Sequence, residues 1–522
     1  MFGFKSAYFY LVAIQVTFVK FIKKLYFSSK HYNDSLKSKV PVQVYFNPNP
    51  FLLSLISPFT ERSFKFTEIN PNEFWLDKKN KKINQCHNFL WLSLINRKTN
   101  EKNIQKIIYL WIIKFSNFKR KVWETSTLSS RVISWMLNID TIINNGTFEF
   151  KKIFFQSIII QCNHLKKNFK YEKDPAKKLE ILTALILSGI IFKDYEDNFN
   201  MGVKELEKFV NSHYDKEGFT LSRSKNDLVI FTKYLLLCQE NIKEAQQYLP
   251  EFLDEIIKKN LGCIKFFQTP DNQMPLFNGT SENNLDNFQK YLESVKISKK
   301  EKKNVLGNIY FAKSKNQVFY FDVGGPPSKN FSKNYQSGPL SFEYFLDGLK
   351  IITNCGFGNN ISAKAELISR LTASQSTLTI NDTSITKFER NKLINRVFGN
   401  SIKNTFKTNE FCDYNDKHLV GCSVSHDGYE KDFGCIHKRE IYLDHDDNKL
   451  KGKDHILKKS DGIPIRYVFR FHLNPKLTAV KTMSGSSALI QISKNKSLIF
   501  TIKDENIEIE KGLYLGGKKI LD

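Results

Sequence analysis

Two periodicities divide the chain. From about Glu73 to Lys300, apolar residues recur at the i, i+3, i+4, i+7 spacing of one helix face. Asn103–Phe118 is the clearest case. Phe154–Leu165, Leu179–Ile191, Leu228–Leu236 and Tyr248–Ile257 repeat it, with loops rich in Lys, Asn and Asp between them. Short polar loops between helices imply antiparallel pairs, in a bundle, a solenoid or a toroid, and no fixed-length repeat chooses among these.

Past Ile309 the period shortens toward two. Strands are predicted at Gln317–Val323, Ser341–Phe345, Leu349–Thr353, Thr377–Ile380, Lys438–Leu443, Arg466–His472, Leu489–Ile492, Ser497–Ile502 and Ile507–Ile509. The stretch from Gln317 to Thr383 is the most informative. Gly324-Gly325-Pro326-Pro327 stops one strand, because proline has no amide to donate. Asp347-Gly348 joins two apolar runs as a hairpin turn. Many short strands with polar turns predict an antiparallel β-sandwich. The organisation expected is a lead-in over 1–72, a helical domain over 73–300 and a β-sandwich over 301–522, with Lys299 to Lys303 as a solvated connector.

Length agrees, since 522 residues exceed one ordinary core. The formal net charge of +26 points to an anionic partner. The crowding of Lys, Asn, Ile and Phe is equally what AT-rich codons would produce. The lysines are dispersed and no nucleic-acid-binding signature appears, so nucleic acid is not expected as a partner. None of the eight cysteines forms a CxxC pair, which reads as buried thiols rather than a disulfide scaffold. Ala7–Val19 is apolar apart from Gln15 and Thr17, short for a transmembrane span and without a small-residue cleavage site. It reads as a packed or interfacial helix, or else an uncleaved anchor, so residues 1–30 could meet a membrane surface. A cytoplasmic or inner-membrane-associated location follows from that reading.

Candidate chemistry is sparse. All five tryptophans lie between Trp75 and Trp135. Arg131 and Trp135 stand four apart on one helix face. A guanidinium beside an indole could hold an acidic sugar, or could be a cation–π pair inside the helical layer. Asn163-His164 is a polar pair on an apolar helix. Ser425-His426-Asp427-Gly428-Tyr429 carries a titratable His and Tyr, or is an Asp-Gly turn between strands.

Several segments resemble the heparinase II/III family of polysaccharide lyases and their relatives. They are Trp123 through Trp135, His87-Asn88-Phe89-Leu90-Trp91, Cys162-Asn163-His164-Leu165, Glu217 through Arg223, Leu276 through Gly279, Leu340 through Glu343, Ser376-Thr377-Leu378 and Phe471 through Pro475. The resemblance implies an α/α toroid followed by a β-sandwich, and β-elimination on a uronate-containing, anionic polysaccharide, the expected partner. It implies substrate-binding roles for Arg131, Trp135, Asn163, Arg223, Gln336, Gln375 and Arg439. The family's proton-transfer groups are replaced. Thr220 and Gln375 stand where the family has histidine, Asn334 through Pro339 matches the family's His-x-His/Ser loop with Gln336 and Gly338 in it, and Ser224 through Asp227 lacks the family's tyrosine. Glutamine cannot titrate, so His164, His426 and Tyr429 become the candidate catalytic residues. The family's zinc-ligand positions are Gly338, Asn354 and Gln375, and neither a metal nor a cofactor is expected. The alternative to a carbon–oxygen lyase is a catalytically silent glycan-binding or envelope-assembly protein. The resemblance places the protein in the periplasm or cell envelope of a bacterium.

Overall fold

A computed structural model describes residues 2–59, 71–75, 86–95, 97–282, 285, 288–295, 304–459, 466–517 and 520–521. The connector expected over Lys299 to Lys303 lies outside the described residues. The chain forms two compact units: Met1–Tyr214 with Val229–Leu261 and Asn287–Ile297, and Asp215–Leu228 with Gly262–Asp286 and Ser298–Asp522.

The first unit is helical. Its long elements include α1 (Phe2–Phe27), α2 (Arg97–Phe115), α3 (Thr125–Leu137), α4 (Phe148–Asn168), α5 (Pro175–Ile191), α6 (Glu196–His213) and most of α7 (Lys225–Glu244) and α8 (Glu251–Phe267). Side chains satisfy the amides that open three of them: Glu124 caps α3, Thr147 caps α4, and Asp174 caps α5 ahead of Pro175. α5 is buried at every position from Leu179 to Ile191, as a helix apolar all round must be. It packs between α3 and α6. Gly189 permits the close approach to α6, since a Cβ there would collide with the backbone of Phe199.

The second unit is an antiparallel sandwich, as the alternating pattern predicts. One sheet runs β1 (Val305–Leu306), β2 (Ile309–Ser314), β3 (Gln317–Asp322), β4 (Phe342–Leu346), β5 (Leu349–Thr353) and the short strand His472–Leu473. The other runs β10 (Lys449–Lys458), β9 (Cys435–Asp444), β8 (Leu419–Tyr429) and β7 (Thr408–Asn415). Phe319, Phe321, Phe342 and Ile351 of the first meet Val420, Cys422, Val424, Ile441 and Leu443 of the second in one core. The β4–β5 turn is the expected hairpin, with φ of 50° at Asp347 and 80° at Gly348. A two-residue turn of the type that matches strand twist needs both positive, which suits Asp-Gly. A smaller core gathers Tyr335, Leu378, Ile380, Phe388, Phe406 and Tyr429.

Sequence and structure differ at the edges and at β8, an inner strand that no predicted run covers. β7 and β10 are the outer strands of their sheet and largely exposed, so their lysines and acids hid them. Ser425–Tyr429 is not a turn. It ends β8, with an irregularity in the pairing between His426 and Tyr429. Ile507–Ile509 forms no strand. All eight cysteines are free, and only Cys412 is exposed.

Candidate functional site

In the helical unit, three predicted site residues meet in one aromatic interior. Arg131 sits mid-way along α3 with no exposed surface. Its Nε donates to Gln161 Oε1 at 2.7 Å, and one terminal nitrogen donates to the carbonyls of His87 (2.8 Å) and Val122 (3.0 Å). The guanidinium lies 4.2 Å from the ring centroid of Trp111, so its aromatic partner is Trp111 rather than Trp135. Trp135 is enclosed by Phe89, Trp111 and Phe154. His164 Nδ1 is 2.7 Å from Tyr32 Oη, and its ring is boxed by Phe27, Phe118 and Trp123. Burial, with help from the Arg131 and Lys167 charges, pushes the imidazole down to about 3. Asn163 is half-buried, and its amide donates to Leu36 O (2.9 Å) and Ser38 Oγ (2.6 Å), tying down the lead-in.

The group there with chemistry near neutrality is one the sequence pattern did not single out. The Glu180 carboxyl on α5 accepts from Ser126 Oγ at 2.5 Å and Tyr234 Oη at 3.3 Å. Burial raises it to about 7. A lone Glu in an apolar helix carried no spacing signal.

In the β unit, the two replaced histidine positions act together. Gln336 Nε2 donates to Gly356 O (2.9 Å) and Ser369 O (2.7 Å), while its Oε1 accepts from Gly279 N–H (3.0 Å). Gln375 Nε2 donates to the same Ser369 carbonyl at 2.9 Å. The amides thus clasp three loops. A Cβ at Gly338 would lie 2.8 Å from Gln375 Cγ and 3.0 Å from Ser341 Oγ. Asn354 Oδ1 accepts from Ser376 N–H at 2.9 Å. These positions offer no thiolate, imidazole or carboxylate, and glutamine methylenes fill the space, so the residues present do not fit a zinc ion. Gly338→Ala is expected to destabilise the unit by about 1–3 kcal/mol through overpacking. The double variant with Gln375→Ala should lose less than Gly338→Ala does alone, as chemical denaturation will read.

Arg223 is buried against Asp322 at 2.6 Å, and also donates to the carbonyl of Gly325 at 2.5 Å. Arg439 grips Asp454 through Nε (2.7 Å) and a terminal nitrogen (3.1 Å), and donates to the carbonyls of Leu340 (2.8 Å) and Ser376 (2.9 Å). His437 Nε2 is 2.6 Å from Asp454 Oδ1. Burial alone would raise the Asp454 carboxyl, but Arg439 and His437 outweigh it and hold it well below the carboxylate range. His426 packs edge-on to His437 at 5.3 Å, with Nδ1 accepting from Gly428 N–H. Complete burial keeps it far below its ordinary value. Tyr429 donates to Leu378 O (3.1 Å) and Thr383 O (3.3 Å), and burial raises its phenol. His426, Tyr429, Arg439, Gln336 and Gln375 therefore gather in the interior, each at most 2% exposed.

What is open to solvent lies beside them. Asp227 and Asn334 are both half-buried, and Asp227 accepts from Ser222 Oγ (2.7 Å) and Asn334 Nδ2 (3.4 Å). Both stand in loops the motifs marked out, but the absence of His and Tyr drew attention from them. A surface cavity of about 420 Å³ is lined by Thr405, Phe406, Lys407, Asp427, Glu430 and Lys431. Among the described residues no cluster of His, Cys, Asp and Glu could hold a metal ion.

Residues 302–521 match the family model described as heparinase II/III-like, C-terminal. This segment is a heparinase II/III-like C-terminal domain. The chain as a whole also shares its fold with solved heparan sulfate lyases. A heparan sulfate lyase of Pedobacter heparinus is 16% identical, with a TM-score of 0.62 over 90% of this chain and 78% of that one. A mutant of that lyase gives 15% identity and a TM-score of 0.64 over the same shares. Heparinase III is 13% identical, with a TM-score of 0.63 over 98% of this chain and 88% of its own. At these identities the likeness establishes fold. No curated protein matches the chain. Within the heparinase-like domain, the resemblance read from Leu340–Glu343 and Ser376-Thr377-Leu378 falls on β4 and on the segment entering β6 (Leu378–Ile380).

Proposed function

We propose that this protein binds an anionic, uronate-containing polysaccharide on a polysaccharide-lyase scaffold, and that His164, His426 and Tyr429 do not carry out β-elimination on it. The burial of those three residues carries the reading. A proton leaves C5 of a uronate only to a group that touches the sugar and titrates near the working pH. His164 is 6% exposed, His426 0% and Tyr429 1%, and burial moves all three away from neutrality. The glycan part of the reading is supported by the heparinase-like fold and by the net charge of +26. The test uses the full chain and a panel of acidic polysaccharides. Retention on at least one immobilised member, weakening with salt, is expected, while the absorbance of the unsaturated product stays flat. A sustained rise in that absorbance would overturn the silent reading, and lack of retention on every member would overturn the glycan reading.

The second reading is β-elimination, and Glu180 is the observation that favours it. Its carboxyl is raised to about 7, inside the range of general acid–base work where the histidines are not, while at 9% exposed it is nearly as enclosed as His164, so catalysis there requires the helical interior to open. If product does form, Glu180→Gln should lower kcat by roughly 10²-fold or more with KM little changed. Unchanged kcat would remove Glu180 from the chemistry.

A further inference from the structure

α1 carries a face that nothing in its own unit covers. Leu11, Ile14, Phe18, Phe21, Ile22 and Leu25 are each 46–66% exposed. Their spacing of three, four or seven puts them on one side of the helix. The other side is held. Ala13 is fully buried, Lys23 Nζ sits 2.8 Å above the Tyr171 ring, and Phe27 packs on Tyr32, Phe118 and His164. The helix is thus fixed to the helical unit along one side and near its C-terminal end, with its most apolar surface turned outward.

The charge of the segment has one sign. From Met1 to Asn33 the chain has no Asp or Glu, and it has five lysines, Lys5, Lys20, Lys23, Lys24 and Lys30. An exposed apolar face on a segment whose charges are all positive fits a hydrocarbon layer edged by negative headgroups. A helix crossing the bilayer would be apolar on all sides, whereas this one keeps a packed side. Among the described residues no helix is long and apolar enough to cross a membrane. At 26 residues it would cover about 39 Å of surface.

We propose that α1 lies in the interface of an anionic lipid bilayer, with Phe18, Ile22 and their neighbours in the acyl boundary. This does not depend on the glycan reading. The experiment is flotation of the full chain with vesicles of equal parts phosphatidylglycerol and phosphatidylcholine, against phosphatidylcholine alone. Binding to the anionic vesicles, weakened by salt and released by carbonate, is expected. Phe18→Glu with Ile22→Glu should lower partitioning roughly tenfold or more, with circular dichroism and glycan retention unchanged because both side chains are exposed. Wild-type protein that ignores anionic vesicles, or a double variant that binds as well as the wild type, would overturn the proposal. So would resistance to carbonate, which indicates a span. A dimer in solution dispersed by the same double variant, with no vesicle binding, would assign the face to a second copy instead.

Discussion

Replacing Arg439 with methionine is expected to destabilise the β unit by about 3–5 kcal/mol. The side chain is 2% exposed and satisfies both oxygens of Asp454 and two backbone carbonyls. Removing it leaves a carboxylate with only His437 beside it, and that imidazole is itself held below its ordinary value by burial. Two acceptors, Leu340 O and Ser376 O, also lose their donor, and an unmade buried hydrogen bond is more harmful than a made one is helpful. The loss belongs to the orphaned charge more than to the attraction between the pair. Arg439→Met with Asp454→Leu should therefore recover much of it, since an apolar pair of similar volume replaces a buried ion pair at little net loss. Native-state hydrogen exchange in β8, β9 and β10 is the measurement. Equal protection in wild type and Arg439→Met would show that the Arg439 cluster contributes nothing to the sheet.

The same cluster shows what the sequence could and could not disclose. Strong periodicity carried the elements. α5 and β5 fall where the apolar runs placed them, and the Asp347-Gly348 hairpin follows from local φ preferences alone. The expected sandwich needs only alternation, because each sheet must bury one face. The edges failed because an outer strand has a free side to fill with charge, and β10 reads as a lysine-rich loop until β9 is seen beside it. Site residues failed differently. Arg131, Arg223 and Arg439 look like surface cations in a chain with 79 basic residues. Nothing local shows that Gln161 and two carbonyls, or Asp322, or Asp454, will enclose them. Depth is a tertiary property. So is the raised Glu180 carboxyl: burial in the helical layer raises it, and the hydrogen bonds from Ser126 and Tyr234, each 54 residues away in sequence, offset that only in part. Motif resemblance marked out the loops and left open whether their side chains face outward. Thr220, Gln336 and Gln375 turn inward, each at most 2% exposed, and the half-buried Asp227 and Asn334 remain at the surface.

Acidification from about pH 7.5 to about pH 5 is expected to destabilise the helical unit by roughly 2 kcal/mol through His164 alone. Its folded value, about 3, lies below the ordinary 6.5. As the pH falls through 6.5 the unfolded chain takes up a proton that the folded chain refuses. Unfolding then binds protons, so stability rises with pH throughout the window from about 3 to 6.5, is complete above it, and falls by ~1.4 kcal/mol per pH unit within it. The cause is mainly burial, with the charges of Arg131 and Lys167 adding to it, and Tyr32 Oη supplies a partner that a neutral ring can accept from. His87, pushed down to about 4 chiefly by burial and further by Arg131 and Lys114, acts in the same direction. Asp454 cannot account for such a loss, because a carboxyl held below its usual range gives up its stabilisation only at lower pH, as the pH falls through that depressed value. Denaturant unfolding followed by tryptophan fluorescence reads the right unit, since all five tryptophans lie between Trp75 and Trp135 and Trp123 is 5.2 Å from His164. His164→Asn keeps an acceptor near Tyr32 and removes the titration, so its stability at pH 7.5 should fall while its slope against pH flattens by ~1.4 kcal/mol per unit. A slope identical to that of the wild type would mean that His164 takes up its proton in the folded protein, and that the interior around Arg131 is open to water.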